Sequence, residues 1–289
     1  MSEANENESI EYKNYVVIWL DVLGQSQKLR DFPDIPNQEL FSEEDYKEKR
    51  KEFISYIKNT VGKVELLRHQ FEELYTRTRI DDSVKIGVAE TVMYSISDST
   101  IIAIPLSQNG RCEAIHSIFH ALVAISGIIL ISLSGGIVLR GGIDVGSAYI
   151  IKKNEIYGQA LARAVYLEEK IAEYPRVVVG KSFREYLEHY ELCKPRNPYE
   201  KASKDFAKIC RQMLFIDTDG VFAVDYLSET MNDVIRGSVN EETVKEAFGY
   251  VKSQYERFLD AGDDKHTQRY YRMLLYFGNR IEGWNLKFE

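Results

Sequence analysis

The sequence predicts an α+β fold in which helices pack on a largely antiparallel sheet. Runs of β-branched and aromatic residues alternate with longer segments whose apolar residues recur at helical spacing. Two pairs of runs are spaced as hairpins, one around Asp98 and one around Asp219-Gly220. Neither G-x-G-x-x-G nor G-x-x-x-x-G-K-[ST] occurs, so the parallel-sheet nucleotide folds lose their main support.

The first half of the chain alternates between strand and helix patterns. Residues 15–20 are predicted to form a buried strand, which Gly24 ends and a helix follows. Amphipathic spacing over 41–79 predicts one or two helices on the outside of the sheet. Residues 88–104 return to strand character, and Ser97-Asp98-Ser99 predicts a tight turn with a carboxylate at its tip.

The second half is predicted to contain, in order, a helix over 113–133, a strand over 137–145 with a projecting hairpin arm, a helix over 158–172, a strand at 176–180, a helix over 181–191 and a hairpin over 213–227. Strong helix formers with apolar residues on one side make 158–172 the clearest helix. The charged segment beyond Ser228 predicts a helical C-terminal extension.

One segment needs a choice between a membrane span and a core helix. Residues 114–139 contain no Asp, Glu, Lys or Arg. Two histidines, several serines and the Gly135-Gly136 pair interrupt the apolar pattern, which favours a buried helix followed by a buried strand. His116 and His120 share a face of this helix, and packing is favoured over a metal-ligand pair.

Composition limits the function classes. The 289 residues are 44% hydrophobic and carry a formal net charge of -8, which predicts a large core and argues against nucleic-acid or anionic-membrane partners. The three scattered cysteines predict neither disulfides nor a zinc site, and a reducing cytoplasm is the expected location. We divide the chain into a disordered acidic tail over 1–14, a main domain over 15–228 and a helical extension over 229–289.

Two aspartates, Asp21 and Asp98, stand where apolar strand-like runs stop. A carboxylate at the end of a buried run is costly unless positive charge lies beside it, so the two suggest a shared metal site. The alternative for each is that it caps a helix or a turn.

Four motifs around these aspartates occur in a recognisable order. They are Asp21-Val-Leu-Gly24, Asp98 at a hairpin, the glycine strand from Leu139-Arg140 to Gly146, and the helix that Tyr157-Gly158 opens and Leu167-Glu168 closes. This set, over residues 15–185, resembles class III nucleotidyl cyclases. With the SDS turn, YPR, DGVFAVDYL and KHTQRYYRMLLYFGN, most of the chain is similar to the bacterial pyrimidine cyclases of Pycsar antiphage systems.

The resemblance implies a class III cyclase-like fold, with 15–228 as the catalytic domain. It implies conversion of a nucleoside triphosphate into a 3',5'-cyclic nucleotide and pyrophosphate, on two Mn²⁺ or Mg²⁺ ions held by Asp21, Asp98 and the backbone carbonyl of Val22. The expected triphosphate contacts are the backbone amides of Leu23, Gly24, Gln25 and Ser26, at a helix start. The resemblance also implies a homodimer with shared active sites and a separate effector that senses the cyclic nucleotide in abortive infection.

Base recognition is expected from two positions. Tyr94, four residues before Asp98, stands where adenylate cyclases carry Lys and guanylate cyclases Glu, and Glu155 is the partner position before Gly158. A tyrosine fits neither purine code and leaves less room for a two-ring base, so a pyrimidine triphosphate is favoured, UTP over CTP. Tyr94 as an ordinary strand aromatic and Glu155 as a solvated arm residue are the alternatives.

The helix after Gly158 departs from the family pattern. Ala162 and Tyr166 stand where the family carries the Asn and Arg that orient the ribose and stabilise the transition state. Arg163 and Tyr166 are candidate substitutes, with a surface arginine as the alternative for Arg163. Arg140 is expected to pair with an acid. The rival functions are therefore a cytidylate cyclase, a purine cyclase with an unusual pocket, and a degenerate cyclase-fold protein that binds nucleotide without chemistry.

Overall fold

The computed structural model describes residues 11–77, 89, 91–106, 114–151, 155–235 and 239–284. Within these ranges lie eight strands: β1 Glu11–Val22, β2 Val92–Ile96, β3 Ser99–Pro105, β4 Leu139–Ile151, β5 Glu155–Gly158, β6 Val177–Val179, β7 Leu214–Ile216 and β8 Phe222–Val224. The same ranges contain these helices: α1 Gln25–Arg30, α2 Glu43–Arg77, α3 Ala114–Ser134, α4 Gln159–Tyr166, α5 Lys181–Leu192, α6 Pro198–Gln212, α7 Glu229–Ile235, α8 Glu241–Asp260 and α9 Asp264–Gly278. A π-helical turn, Leu167–Ile171, continues α4.

All the strands belong to one sheet. Its order is β2-β3-β1-β4-β6-β8-β7, and β5 pairs with the end of β4. The first four strands alternate with helices as β-α-β-β-α-β and are antiparallel to their neighbours, which is a ferredoxin-like arrangement. Among the described strands only β4 and β6 pair in parallel, so the predicted α+β fold with a largely antiparallel sheet and flanking helices is confirmed.

The two faces of β1 belong to different cores. Val16, Ile18 and Leu20 face the main core, which includes residues of α2 and α3. Because side chains alternate along a strand, Tyr15 and Val17 face the opposite side, where a smaller cluster includes residues of α4.

The backbone of α4 lies very close to β4. A Cβ added to Gly142 would lie 2.2 Å from the carbonyl oxygen of Ala164. Glycine at this position therefore allows the helix to pack directly on the strand.

Helix α3 is the apolar segment that raised the question of a membrane span. It is long and apolar enough to cross a membrane, with a mean hydropathy of 2.1 over its most apolar window. The protein itself buries 89% of that window. The prediction of a buried core helix is therefore confirmed.

The C-terminal helices share the core of the main domain. Val244, Ala247 and Val251 of α8 and Met273 and Phe277 of α9 are buried in the cluster that contains α3. The predicted helical character is confirmed for the described part of this segment. Its apolar core is continuous with that of residues 15–228.

Two elements differ from the sequence prediction. Strand β1 begins at Glu11, inside the predicted tail, because residues 11–14 pair with residues 147–150 of β4. Helix α6 was not predicted, although Phe206, Ala207, Ile209 and Cys210 give it an apolar side that packs on the main core. Residues 1–10 and 152–154, part of the predicted tail and arm, lie outside the described residues.

Buried His116 in α3 is expected to make stability depend on pH. His116 and His120 lie in the core with their Nε2 atoms 3.1 Å apart, and burial lowers the pKa of His116. Below about pH 6.5 the unfolded chain therefore binds a proton that folded His116 resists, and the free energy of unfolding falls as pH falls. Between pH 7 and pH 5, the free energy of unfolding should fall less in His116→Leu than in the wild-type protein, by up to about 2 kcal/mol. Urea unfolding at the two pH values measures both changes. Equal losses in the two proteins would contradict this.

Candidate functional site

The fold brings the two predicted metal-binding aspartates together. Asp21 is the second-last residue of β1, and Asp98 lies in the turn between β2 and β3. The pairing of β1 with β3 sets Asp21 opposite Ser99, the residue after Asp98. The Ser99 hydroxyl donates a hydrogen bond to Asp21 Oδ1 at 2.8 Å and so orients this carboxylate beside the turn.

Burial has the largest effect on the Asp21 carboxylate. Burial raises the pKa of Asp21, the hydrogen bond from Ser99 opposes the rise, the charge of Asp98 adds to it, and Arg140 opposes it. The opposing effect of Arg140 is limited because its guanidinium is already paired with Glu168. A cation bound beside Asp21 would offset the cost of burying its negative charge.

The donor set fits a hard divalent cation. Carboxylate oxygens are preferred ligands of Mg²⁺, which is commonly held by one or two carboxylates and substrate phosphates. Among the described residues, no group of three or more His, Cys, Asp or Glu side chains could hold a metal ion. Asp21, Asp98 and the Val22 carbonyl as metal ligands stay a prediction.

Arg68 is a charged residue near this site that the sequence analysis missed. It lines a small cavity with Asp98, among apolar residues of β1, α2 and α3, and its Nε is buried without a hydrogen-bond partner among the described residues. The available signal was its position three residues before Phe71, on the apolar side of a long amphipathic helix.

The predicted triphosphate loop is only partly available for a ligand. Gly24 is exposed at φ 81°, in the left-handed region that favours glycine, and open space surrounds it. The Leu23 amide, however, donates to the carbonyl of Val138 at 2.9 Å, and the buried Gln25 side chain donates to the carbonyl of Thr60 at 3.1 Å. The Leu23 amide is therefore already used within the protein, whereas the contact of the Gln25 amide with a triphosphate stays a prediction. Ser26 lies in the first turn of α1, and its side chain lies outside the description.

Tyr94 lies on the same face of the sheet as Asp21. It is opposite Ile101 of β3, whereas Asp21 is opposite Ser99, so the two rows are about 7 Å apart along the strand. The ring is buried in the smaller cluster, and its hydroxyl has no hydrogen-bond partner among the described residues. The ring of Tyr94 thus packs as an ordinary strand aromatic, while its hydroxyl keeps the capacity to form a hydrogen bond beside the site.

Glu155, the second predicted base contact, lies elsewhere. It is exposed at the start of β5, where it pairs in register with Ile151 and accepts a hydrogen bond from the Tyr157 hydroxyl at 3.1 Å. Across the sheet, the residue of β4 in register with Tyr94 is Gly142. The distance along the extended strand from Gly142 to Ile151, the partner of Glu155, is about 30 Å. The structure therefore does not bring the two base contacts together within the chain.

The α4 candidates have different environments. Arg163 donates to the carbonyl of Val145 at 3.1 Å and to the Ser182 hydroxyl at 3.0 Å, so it ties α4 to β4 and α5 and is not free for a phosphate. Tyr166 is 55% exposed, and Ala162 is also exposed. The predicted pairing of Arg140 with an acid is confirmed, since its guanidinium forms a salt bridge with the Glu168 carboxylate and donates a hydrogen bond to it.

Comparison with known proteins adds little to these observations. No protein-family model and no curated protein matches this chain. Among solved structures, a bacterial light-regulated adenylyl cyclase is similar, with 12% sequence identity, 79% of this chain and 100% of that chain covered, and a TM-score of 0.37. At this level of similarity, a functional assignment depends on the chain's own residues.

Proposed function

We propose that this protein is a nucleotidyl cyclase that converts a nucleoside triphosphate, with UTP favoured, into a 3',5'-cyclic nucleotide and pyrophosphate. The observation that carries the proposal is the strand pairing that sets Asp21, a partly buried carboxylate, beside the turn that contains Asp98. The ordered motifs that resemble class III cyclases support the same reaction.

In this reaction the ribose 3'-oxygen forms a bond to the α-phosphorus, the bond to pyrophosphate breaks, and the 3'-hydroxyl loses its proton. Bound Mn²⁺ or Mg²⁺ would ease that deprotonation and offset the charge on the leaving group. Asp21 and Asp98 would hold the ions. Ser99 fixes the orientation of Asp21, and the pair of Arg140 with Glu168 sets the adjacent part of β4 against the turn after α4.

The preference for a pyrimidine rests on Tyr94. Its buried hydroxyl lacks a partner among the described residues and lies on the face of Asp21, which supports a polar contact with a bound base. The bulk of the ring reduces the room for a purine. Glu155 does not share this position in the chain, so the preference depends on Tyr94 alone.

The test is product formation from each nucleotide. The full-length protein is incubated with Mn²⁺ and ATP, GTP, CTP or UTP, alone and in competition, and products are identified by mass spectrometry. We expect cUMP and pyrophosphate from UTP, and no product when the metal is chelated. A preference for CTP would favour a cytidylate cyclase, and absence of product from all four nucleotides would contradict the proposal.

One observation favours a second candidate, a cyclase-fold protein that binds nucleotide and regulates a partner without chemistry. Ala162 replaces a transition-state donor, and Arg163, its nearest substitute, is bonded to Val145 and Ser182. Metal-dependent triphosphate binding without product would support this candidate. A cytoplasmic location, a homodimer and a cyclic-nucleotide-sensing effector in antiphage defence stay predictions from the resemblance and the composition.

A further inference from the structure

An open cleft of about 340 Å³ lies between α9 and the π-helical turn after α4. Four basic residues line it, Arg140, Lys265, Arg269 and Arg272, together with the carboxylates of Glu169 and Glu173. We call it the basic cleft. It is unexpected in a protein with a net charge of -8.

Helix α9 presents its basic residues as one row. Lys265, Arg269 and Arg272 are four and three residues apart, so they lie on the same side of the helix. The neighbouring side carries Met273 and Phe277 into the main core. The burial of that apolar side therefore fixes the direction in which the basic row faces.

Not all of the positive charge in the cleft is matched. Glu173 pairs with Arg272 at 3.2 Å. Glu169 pairs at 3.6 Å with Lys170, a residue that does not line the cleft. Lys265 and Arg269 form no salt bridge with another described residue. Two cations are thus available for an anionic ligand.

The basic cleft adjoins the candidate metal site. Arg140, which lines the cleft, is directly opposite Asp21 in the pairing of β1 with β4, and such partners have Cα atoms about 5 Å apart. Salt bridges also hold α9 in place: Arg272 contacts Asp219 at 3.6 Å, and Arg280, just beyond the helix, contacts Asp225 at 2.6 Å. The cleft is therefore a positioned surface one strand away from the two aspartates.

We infer that the basic cleft binds a condensed phosphate through Lys265 and Arg269. Ammonium and guanidinium donors make strong charge-assisted hydrogen bonds to phosphate oxygens. During the reaction it would receive the triphosphate tail of the substrate or the released pyrophosphate, and this second statement rests on the proposed function.

The test measures binding of inorganic tripolyphosphate to the full-length protein by calorimetry, without nucleotide or divalent metal. We expect Lys265→Glu/Arg269→Glu to weaken binding about tenfold or more, because two attractive charges become repulsive. The matched control is Lys245→Glu/Lys252→Glu on exposed positions of α8, which changes the net charge equally and should leave the affinity about unchanged. Lys265→Gln/Arg269→Gln, with neutral side chains, should give an intermediate loss.

Thermal unfolding of each variant checks that the fold is retained. No binding by the wild-type protein, or equal affinity in the charge-reversal variant, would overturn the inference. If the charge-reversal variant loses tripolyphosphate binding and the wild-type protein forms no cyclic nucleotide, the result supports the cleft and rejects the proposed function. If the wild-type protein forms a cyclic nucleotide and the charge-reversal variant binds tripolyphosphate unaltered, the result supports the proposed function and rejects the cleft.

Discussion

Asp21→Asn and Asp98→Asn are each expected to reduce cyclic nucleotide formation by about a thousandfold or more, since each removes a charged ligand of the proposed metal site. Rates of product formation from UTP with saturating Mn²⁺ measure this effect. The matched control is Asp260→Asn, an exposed carboxylate at the end of α8, which should retain wild-type activity. Activity within tenfold of wild type in either site variant would contradict the assignment.

Stability separates a metal ligand from a structural aspartate at position 21. Burial raises the pKa of Asp21, so the charged side chain is less favourable in the folded protein than in the unfolded chain. In the Asp21→Asn variant the side-chain amide oxygen can still accept the hydrogen bond from Ser99, and we expect this variant to be as stable as wild type or more stable. Added Mn²⁺ should raise the unfolding temperature of the wild-type protein only. A large destabilisation in the variant would instead identify Asp21 as a cap or structural residue.

Local patterns were sufficient for most of the fold. The alternation around Asp98 predicted the β2–β3 hairpin, and the strong formers after Gly158 predicted α4. Both depend on contacts between residues close in sequence, which periodicity and turn chemistry report directly. Helix α6 was missed although Phe206, Ile209 and Cys210 recur at helical spacing, so the pattern that identifies it was present in the sequence.

The candidate site was predictable only in part, because its assembly depends on contacts between residues that are distant in sequence. Asp21 and Asp98 each end an apolar run, so the sequence marks them one at a time. Their neighbours depend on strand register: Arg140 lies opposite Asp21 because β1 pairs with β4, and Glu155 is distant from Tyr94 because β4 continues to Ile151. Register and tertiary packing also placed Arg68 and the basic row of α9, and no single-segment pattern contains that information.

The buried Arg176 explains how the C-terminal helices are held against the sheet, and it carries the largest expected effect on stability. Its side chain is 3% exposed and its guanidinium binds Asp217 and Asp219. It also donates to the carbonyls of Ala172 and Ile171, at the end of the π-helical turn. Asp219 in turn contacts Arg272 of α9, so one guanidinium links the turn after α4, the β7–β8 hairpin and the wall of the basic cleft.

We expect Arg176→Met to lower the free energy of unfolding by about 3–5 kcal/mol, because it removes the buried cation from two partly buried carboxylates and a donor from two carbonyls. Urea unfolding measures the change, and Arg257→Met at an exposed position of α8 is the matched control. Arg176→Met combined with Asp217→Asn and Asp219→Asn should recover part of the loss, since both partners of each ion pair are then neutral. A loss below about 1 kcal/mol for the single variant, or a further loss in the triple variant, would contradict this role.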